Sequence, residues 1–199
     1  MLPRLGYPGR YPLRGTHELR LPQFILSATG NFVLRAPSVC RSTVRPALSL
    51  LGLKLTAKLI HYASDFEIAY KTDIWTEVAS HFETDAVYEV RNTDFSCRIE
   101  GRDAIVTGFK KSLDGFDRHL KRTMYVVDGP NEHGNELSFV WFGQYSQAGI
   151  PPLELSARQT LLFNDGKIKL LVDEFLPNYG EDAGNWIATY RPDLNPAYV

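Results

Sequence analysis

The 199-residue chain has little of what usually narrows function quickly. Its two cysteines, Cys40 and Cys97, stand far apart with no metal-ligand spacing around them. That indicates neither a disulfide framework nor a structural zinc site, and both read as free thiols. A formal net charge of -1 gives no reason to expect nucleic acid as a partner. The strongest apolar run, "ALSLLGLKL", is too short to span a bilayer, follows Arg45 closely and is interrupted by Lys54. No phosphate-binding glycine loop, nucleophile elbow or zinc motif occurs, so no cofactor and no metal is expected. His81, His119 and His133 share no ligand spacing and read as scattered surface or half-buried residues.

The near-zero balance conceals an asymmetry. Residues 1–56 carry eight Lys or Arg against one acid, Glu18, a net of about +7, which leaves about -8 for the remainder. The same stretch holds Pro3, Pro8, Pro12, Pro22, Pro37 and Pro46 and no sustained helical or strand period. It cannot bury enough apolar surface to offset the entropy of ordering. Residues 1–56 are therefore expected to be a disordered or targeting extension. The protein is expected in the cytoplasm, with organelle import through the basic extension as the alternative.

Order is expected over residues 57–176. Leu59, Tyr62, Ala63, Phe66 and Tyr70 recur at three- and four-residue steps, one face of a helix. Thr72 or Asp73 can cap a second helix, "IWTEVASHF", and "DAVYEV" follows as a strand. After an irregular polar stretch, "GRDAIVTGFKKSL" reads as a third helix ended by Gly115 as a left-handed cap. Four strands come next: "RTMYVVDG", "ELSFVWFGQYSQ", "LELSARQTLLF" and "KIKLLVDEF", the last two joined by an Asn164-Asp165-Gly166 turn. The class is α+β, a cone-shaped barrel in which a curved, mostly antiparallel sheet wraps about three helices. Residues 177–199 are expected to add a short helix and a loose end.

The segments "DIWTEVASHFETDAVYEV", "EGRDAIVTGF" and "FNDGKIKLLVDEF", in that order, resemble the nuclear transport factor 2-like superfamily, most closely its SnoaL-like branch. The resemblance implies the cone and a ligand cavity inside it, but this scaffold hosts many chemistries and some binding modules. Ketosteroid isomerases of the fold carry a Tyr, an Asp base and a protonated Asp at positions that fall on Phe66, Val90 and Gln159, so base and phenol are missing. Limonene-epoxide hydrolases carry a last-strand Asp and a Tyr that fall on Asp173 and Tyr88. Their Arg, second Asp and Asn fall on Phe142, Gln144 and Val90, which removes the groups that place and protonate the epoxide.

The match turns Asp173 inward, and Leu171 and Phe175 share its face by parity. A carboxylate in an apolar hollow has a raised pKa and can serve as general acid or base. Asp173 and Tyr88 are thus the catalytic candidates, with Gln144, Gln159, Phe142, Tyr70 and Tyr125 as substrate contacts. The expected ligand is an apolar cyclic or polyketide-like molecule, and the chemistry that of a cofactor-free isomerase, cyclase, dehydratase or hydrolase. The alternative is a non-catalytic ligand-binding or dimerisation module, with Asp173 paired to Arg158, Lys169 or Tyr88 to tie strands. A hollow of at least roughly 300 Å³ favours the first; one sealed by Phe66, Phe142 and Phe175 favours the second. On the middle strand Ser138, Val140, Phe142 and Gln144 are expected inside, and Phe139, Trp141 and Tyr145 outside. That convex face is expected to be covered by a second copy, giving a homodimer, or by the tail helix.

Overall fold

The first helix starts before its apolar stripe does, because a distant strand satisfies its end. Thr56 donates from both its backbone N–H (2.7 Å) and its hydroxyl (2.5 Å) to Glu132 Oε1, which supplies the acceptor that a helix N-terminus lacks. In a computed structural model that describes residues 25–26 and 54–199, the elements run β1 (Ile25–Leu26), α1 (Lys54–Thr72), α2 (Thr76–Ser80), β2 (Phe82–Arg91), β3 (Cys97–Glu100), α3 (Arg102–Gly115), β4 (Lys121–His133), β5 (Glu136–Ser146), β6 (Leu153–Asn164), β7 (Lys167–Phe175) and α4 (Tyr179–Tyr190). What was expected of the remainder of the basic extension, Cys40 included, lies outside the described residues. No helix among the described residues is long and apolar enough to cross a membrane.

The strands form one mixed sheet in the order β1-β4-β5-β6-β7-β2-β3, and β2 and β7 are its one parallel pair. The sheet curls round α1, α2 and α3 without closing. β3 occupies the stretch expected to be irregular. Its Ile99 points to the core, while Arg98 pairs with Glu89 and Glu100 on the other face, a charged edge that discourages further pairing.

The β6–β7 hairpin fixes what faces inward. Asp165 and Gly166 both have positive φ, 46° and 83°, as a tight two-residue hairpin turn requires. Phe163 then opposes Ile168, but Leu162 opposes Leu170, so Lys169 is an extra residue on β7. That one-residue bulge puts Asp173 directly across from Gln159, both on the concave side.

Two features of the late chain differ from expectation. Gly115 has no left-handed backbone. Its role is close approach, since a Cβ there would stand 2.2 Å from the carbonyl oxygen of Asn195. The segment after α4 is likewise not loose. Asn195 N–H donates to the Gly115 carbonyl (3.0 Å) and Ser112 Oγ to the Pro196 carbonyl (2.9 Å), strapping residues 191–199 along α3. We expect Gly115→Ala to cost about 1–3 kcal/mol by prising this strap off. Urea denaturation checks it, and an unchanged midpoint would count against the strap as a structural element.

Candidate functional site

Asp173 sits on the concave face of β7, 9% exposed, under the helices. Three neutral donors reach it from three other strands. Tyr88 on β2 donates to Oδ2 at 2.9 Å; Gln159 Nε2 on β6 and Trp141 Nε1 on β5 donate to Oδ1 at 2.8 and 3.2 Å. Among the described residues no cation pairs with it. Arg158 lies on the outer face, and Lys169 lies nearest Glu83, at 3.7 Å. A carboxylate offers about four acceptor directions, so these donors leave one, on Oδ2. Burial pushes the Asp173 carboxyl above its ordinary range, and the bonds from Gln159, Trp141 and Tyr88 pull it part of the way back. Burial, then the nearby Asp173 charge, pushes the Tyr88 phenol well up, so Tyr88 stays a donor.

The carboxylate borders a cavity of about 200 Å³. Rings of Tyr62, Phe66, Phe109, Phe116 and Phe175 make much of its wall, and Ala183 and Ile187 of α4 line it too. The tail helix thus lines the cavity, while its first residue, Tyr179, packs on Phe142 of the outer face. Tyr198, carried in by the strap, brings its hydroxyl beside that of Tyr88, with ring centroids 5.2 Å apart. At the far end are Glu67, Arg122, Asp117 and Tyr145. Tyr145 donates to Asp117 Oδ1 (3.0 Å), and burial pushes the Asp117 carboxyl up while Arg122 opposes that shift.

Of the residues expected at the site, Asp173, Tyr88 and Gln159 come together. Gln144 and Phe142 do not. Gln144 Nε2 donates to Glu154 on the outer face (3.1 Å), and Phe142 packs on Tyr125 and Tyr179. The middle strand is turned over relative to expectation: Phe139, Trp141 and Tyr145 face the cavity. β5 is apolar on both faces, so parity alone could not orient it, and a one-residue error reverses every side chain. Cross-strand register does orient it, because Phe139 opposes Gln159 and Gln159 opposes Asp173. Tyr125 borders the cavity but stacks on Phe142. Tyr70 packs instead under the Arg122 guanidinium, 4.2 Å from its ring centre. Trp141 was missed through that inversion. Tyr198 was missed because the tail has no periodic pattern that would mark a residue as inward.

With β5 oriented, its cavity face reads Leu137, Phe139, Trp141, Gly143 and Tyr145, without Arg or Asp. The pair that positions an epoxide is thus absent in the true register also. Among the described residues, no group of three or more His, Cys, Asp or Glu is disposed to hold a metal ion.

No protein-family model and no curated protein sequence matches the chain. Solved structures do. A nuclear transport factor 2-like protein from Anabaena variabilis superposes with a TM-score of 0.52 at 11% identity, over 68% of this chain and 99% of that one. A candidate isomerase from Rhodopseudomonas palustris gives 0.53 at 12% identity, over 64% and 96%. A candidate polyketide cyclase from Xanthomonas campestris gives 0.41 at 18%, over 68% and 95%. The chain thus shares the fold of these nuclear transport factor 2-like structures, and what it does must be argued from its own residues.

Removing one donor tests how the acid is held. Gln159→Leu leaves Oδ1 with Trp141 alone, and we expect a loss of about 1–3 kcal/mol where Asp173 is ionised. The loss should shrink in acid, where a neutral carboxyl needs its donors less. Denaturant titrations at several pH values measure both, and a pH-independent loss would mean that the bond serves packing alone.

Proposed function

We propose that the cavity binds a small apolar cyclic molecule and that Asp173 exchanges a proton with it, without a cofactor. The observation that carries this reading is the unused acceptor direction on Asp173 Oδ2, in a carboxylate that borders a cavity and pairs with no cation among the described residues. Tyr88 holds that oxygen in place; Gln159 and Trp141 hold the other. The hollow is smaller than the roughly 300 Å³ typical of ligand pockets, and Phe66 and Phe175 line it without filling it. Engineered apolar cavities of about 150 Å³ take up benzene, so a hollow of this size suits one substituted ring and not a multi-ring polyketide. Proton transfer at a carbon beside a carbonyl is the reaction these groups serve most directly, with Oδ2 as base and Tyr88 fixing its position.

A second reading is favoured by the same bonds: Asp173 joins β2, β5, β6 and β7 and could be a structural tie. The two diverge on linkage. A carboxyl whose folded pKa lies above its unfolded one holds its proton more readily in the folded state. Stability then falls as pH rises from the unfolded value through the raised one, and levels off above it. Asp173→Asn removes that dependence, so its melting temperature relative to wild type should climb with pH across this window. A variant less stable than wild type throughout the neutral range would make Asp173 a structural tie. For the chemistry, proton–deuterium exchange into small cyclic ketones, followed by NMR, should fall about 10²–10⁴-fold in Asp173→Asn.

We further propose that a second copy covers the convex face. That face presents Val127, 53% exposed, on the strand that carries Tyr125, which stacks on Phe142; of α4, Tyr179 reaches Phe142, while Ala183 and Ile187 line the cavity. Val127→Asp should convert the species seen in sedimentation velocity from dimer to monomer; a wild-type monomer would end this idea.

A further inference from the structure

Arg122 is a cation where the ligand reading above calls for none. Its side chain is 10% exposed and lies between two chambers. One is the cavity of Asp173. The other, about 190 Å³, is lined by Tyr70, Lys71, Leu120 and Lys121 and shares Glu67, Arg122 and Met124 with the first. These three residues form the partition. Ligand pockets usually hold about 300–1,000 Å³; neither chamber reaches that alone, and together they do.

The partition is held by few bonds. Arg122 Nη2 donates to Glu67 Oε1 at 2.5 Å, and its Nη1 stands 3.6 Å from Asp117, beyond hydrogen-bond reach. A guanidinium has five N–H donors, and Nε makes no hydrogen bond among the described residues. Met124, unbranched and flexible, can move aside. The charges are also sorted. Around the outer chamber Lys71, Lys121 and Arg122 face Glu67 as the single acid, an excess of two positive charges, while Asp173 is the unpaired acid of the inner one.

We infer that the two chambers form one site for a ring bearing a carboxylate: the ring enters the aromatic cavity beside Asp173, and the carboxylate takes the free donors of Arg122 on the lysine side. A planar carboxylate matches the guanidinium fork, and the lysines draw it in. Asp117 does not line the outer chamber: it accepts from Tyr145, stands 3.6 Å from Arg122 Nη1 and borders only the inner cavity. The inference rests on the inner cavity being a ligand site and adds the class of ligand.

Calorimetry with hydroxyphenylpropionate, its amide and the corresponding amine separates the two claims. The acid should bind at least about 10-fold more tightly than the amide. Lys71→Gln combined with Lys121→Gln, both exposed and free of fold-bearing contacts among the described residues, should weaken the acid about 2–10-fold and leave the amide unchanged. Equal binding of acid and amide, or tighter binding of the amine, overturns the carboxylate site while the inner cavity stands as a ligand site. Failure of all three to bind overturns both.

Discussion

A carboxylate buried without a cation is the constraint around which this molecule is arranged. Taking it out of water is costly, and three neutral donors offset only part of that cost. Each donor comes from a different strand, so the arrangement exists only if β2, β5, β6 and β7 are in one particular register. The bulge at Lys169 sets it. Were Lys169 paired in the ladder instead of bulged, Gln159 would oppose Val172, and Asp173 would stand on the other face from the amide that now binds it. The short Asp165-Gly166 turn and the bulge beside it thus decide the chemistry at the far end of the hairpin.

The sheet alone would leave that carboxylate open to water. Closure comes from segments late in the chain, and small residues let them approach. Gly180 brings α4 against the Asn92 carbonyl, where a Cβ would stand at 2.0 Å; Gly115 does the same for Asn195. With those contacts made, Ala183, Ile187, Pro196 and Tyr198 complete a wall that β2 to β7 leave unfinished. The raised carboxyl of Asp173 therefore depends on α4 and the strap as much as on its own strand.

Much of this was legible in the sequence. Periodicity located α1 to α3, turn residues separated β4 to β7, and the family resemblance, supported by the shared parity of Leu171, Asp173 and Phe175, turned the acid inward. Three things were not legible, each for a physical reason. β5 has large apolar residues on both faces, so alternation carries no direction, and the expected inward Gln144 lies outside against Glu154. β3 is four residues long and half charged, too short for a pattern. The strap has neither helical nor strand period; its contacts with Ser112 and Gly115 are long-range and leave no local mark.

The strap also bears on how the site could hold a proton. In the ionised state Tyr88 donates to Asp173 Oδ2. If Oδ2 itself takes a proton, it ceases to be a good acceptor, and a buried phenol would ordinarily be left without a partner at a cost of about 1–3 kcal/mol. Here the Tyr198 hydroxyl lies beside that of Tyr88 and offers another acceptor. Tyr88 can turn from one to the other as the carboxyl changes state. A second acceptor for Tyr88 is what the proton exchange proposed for Asp173 would require.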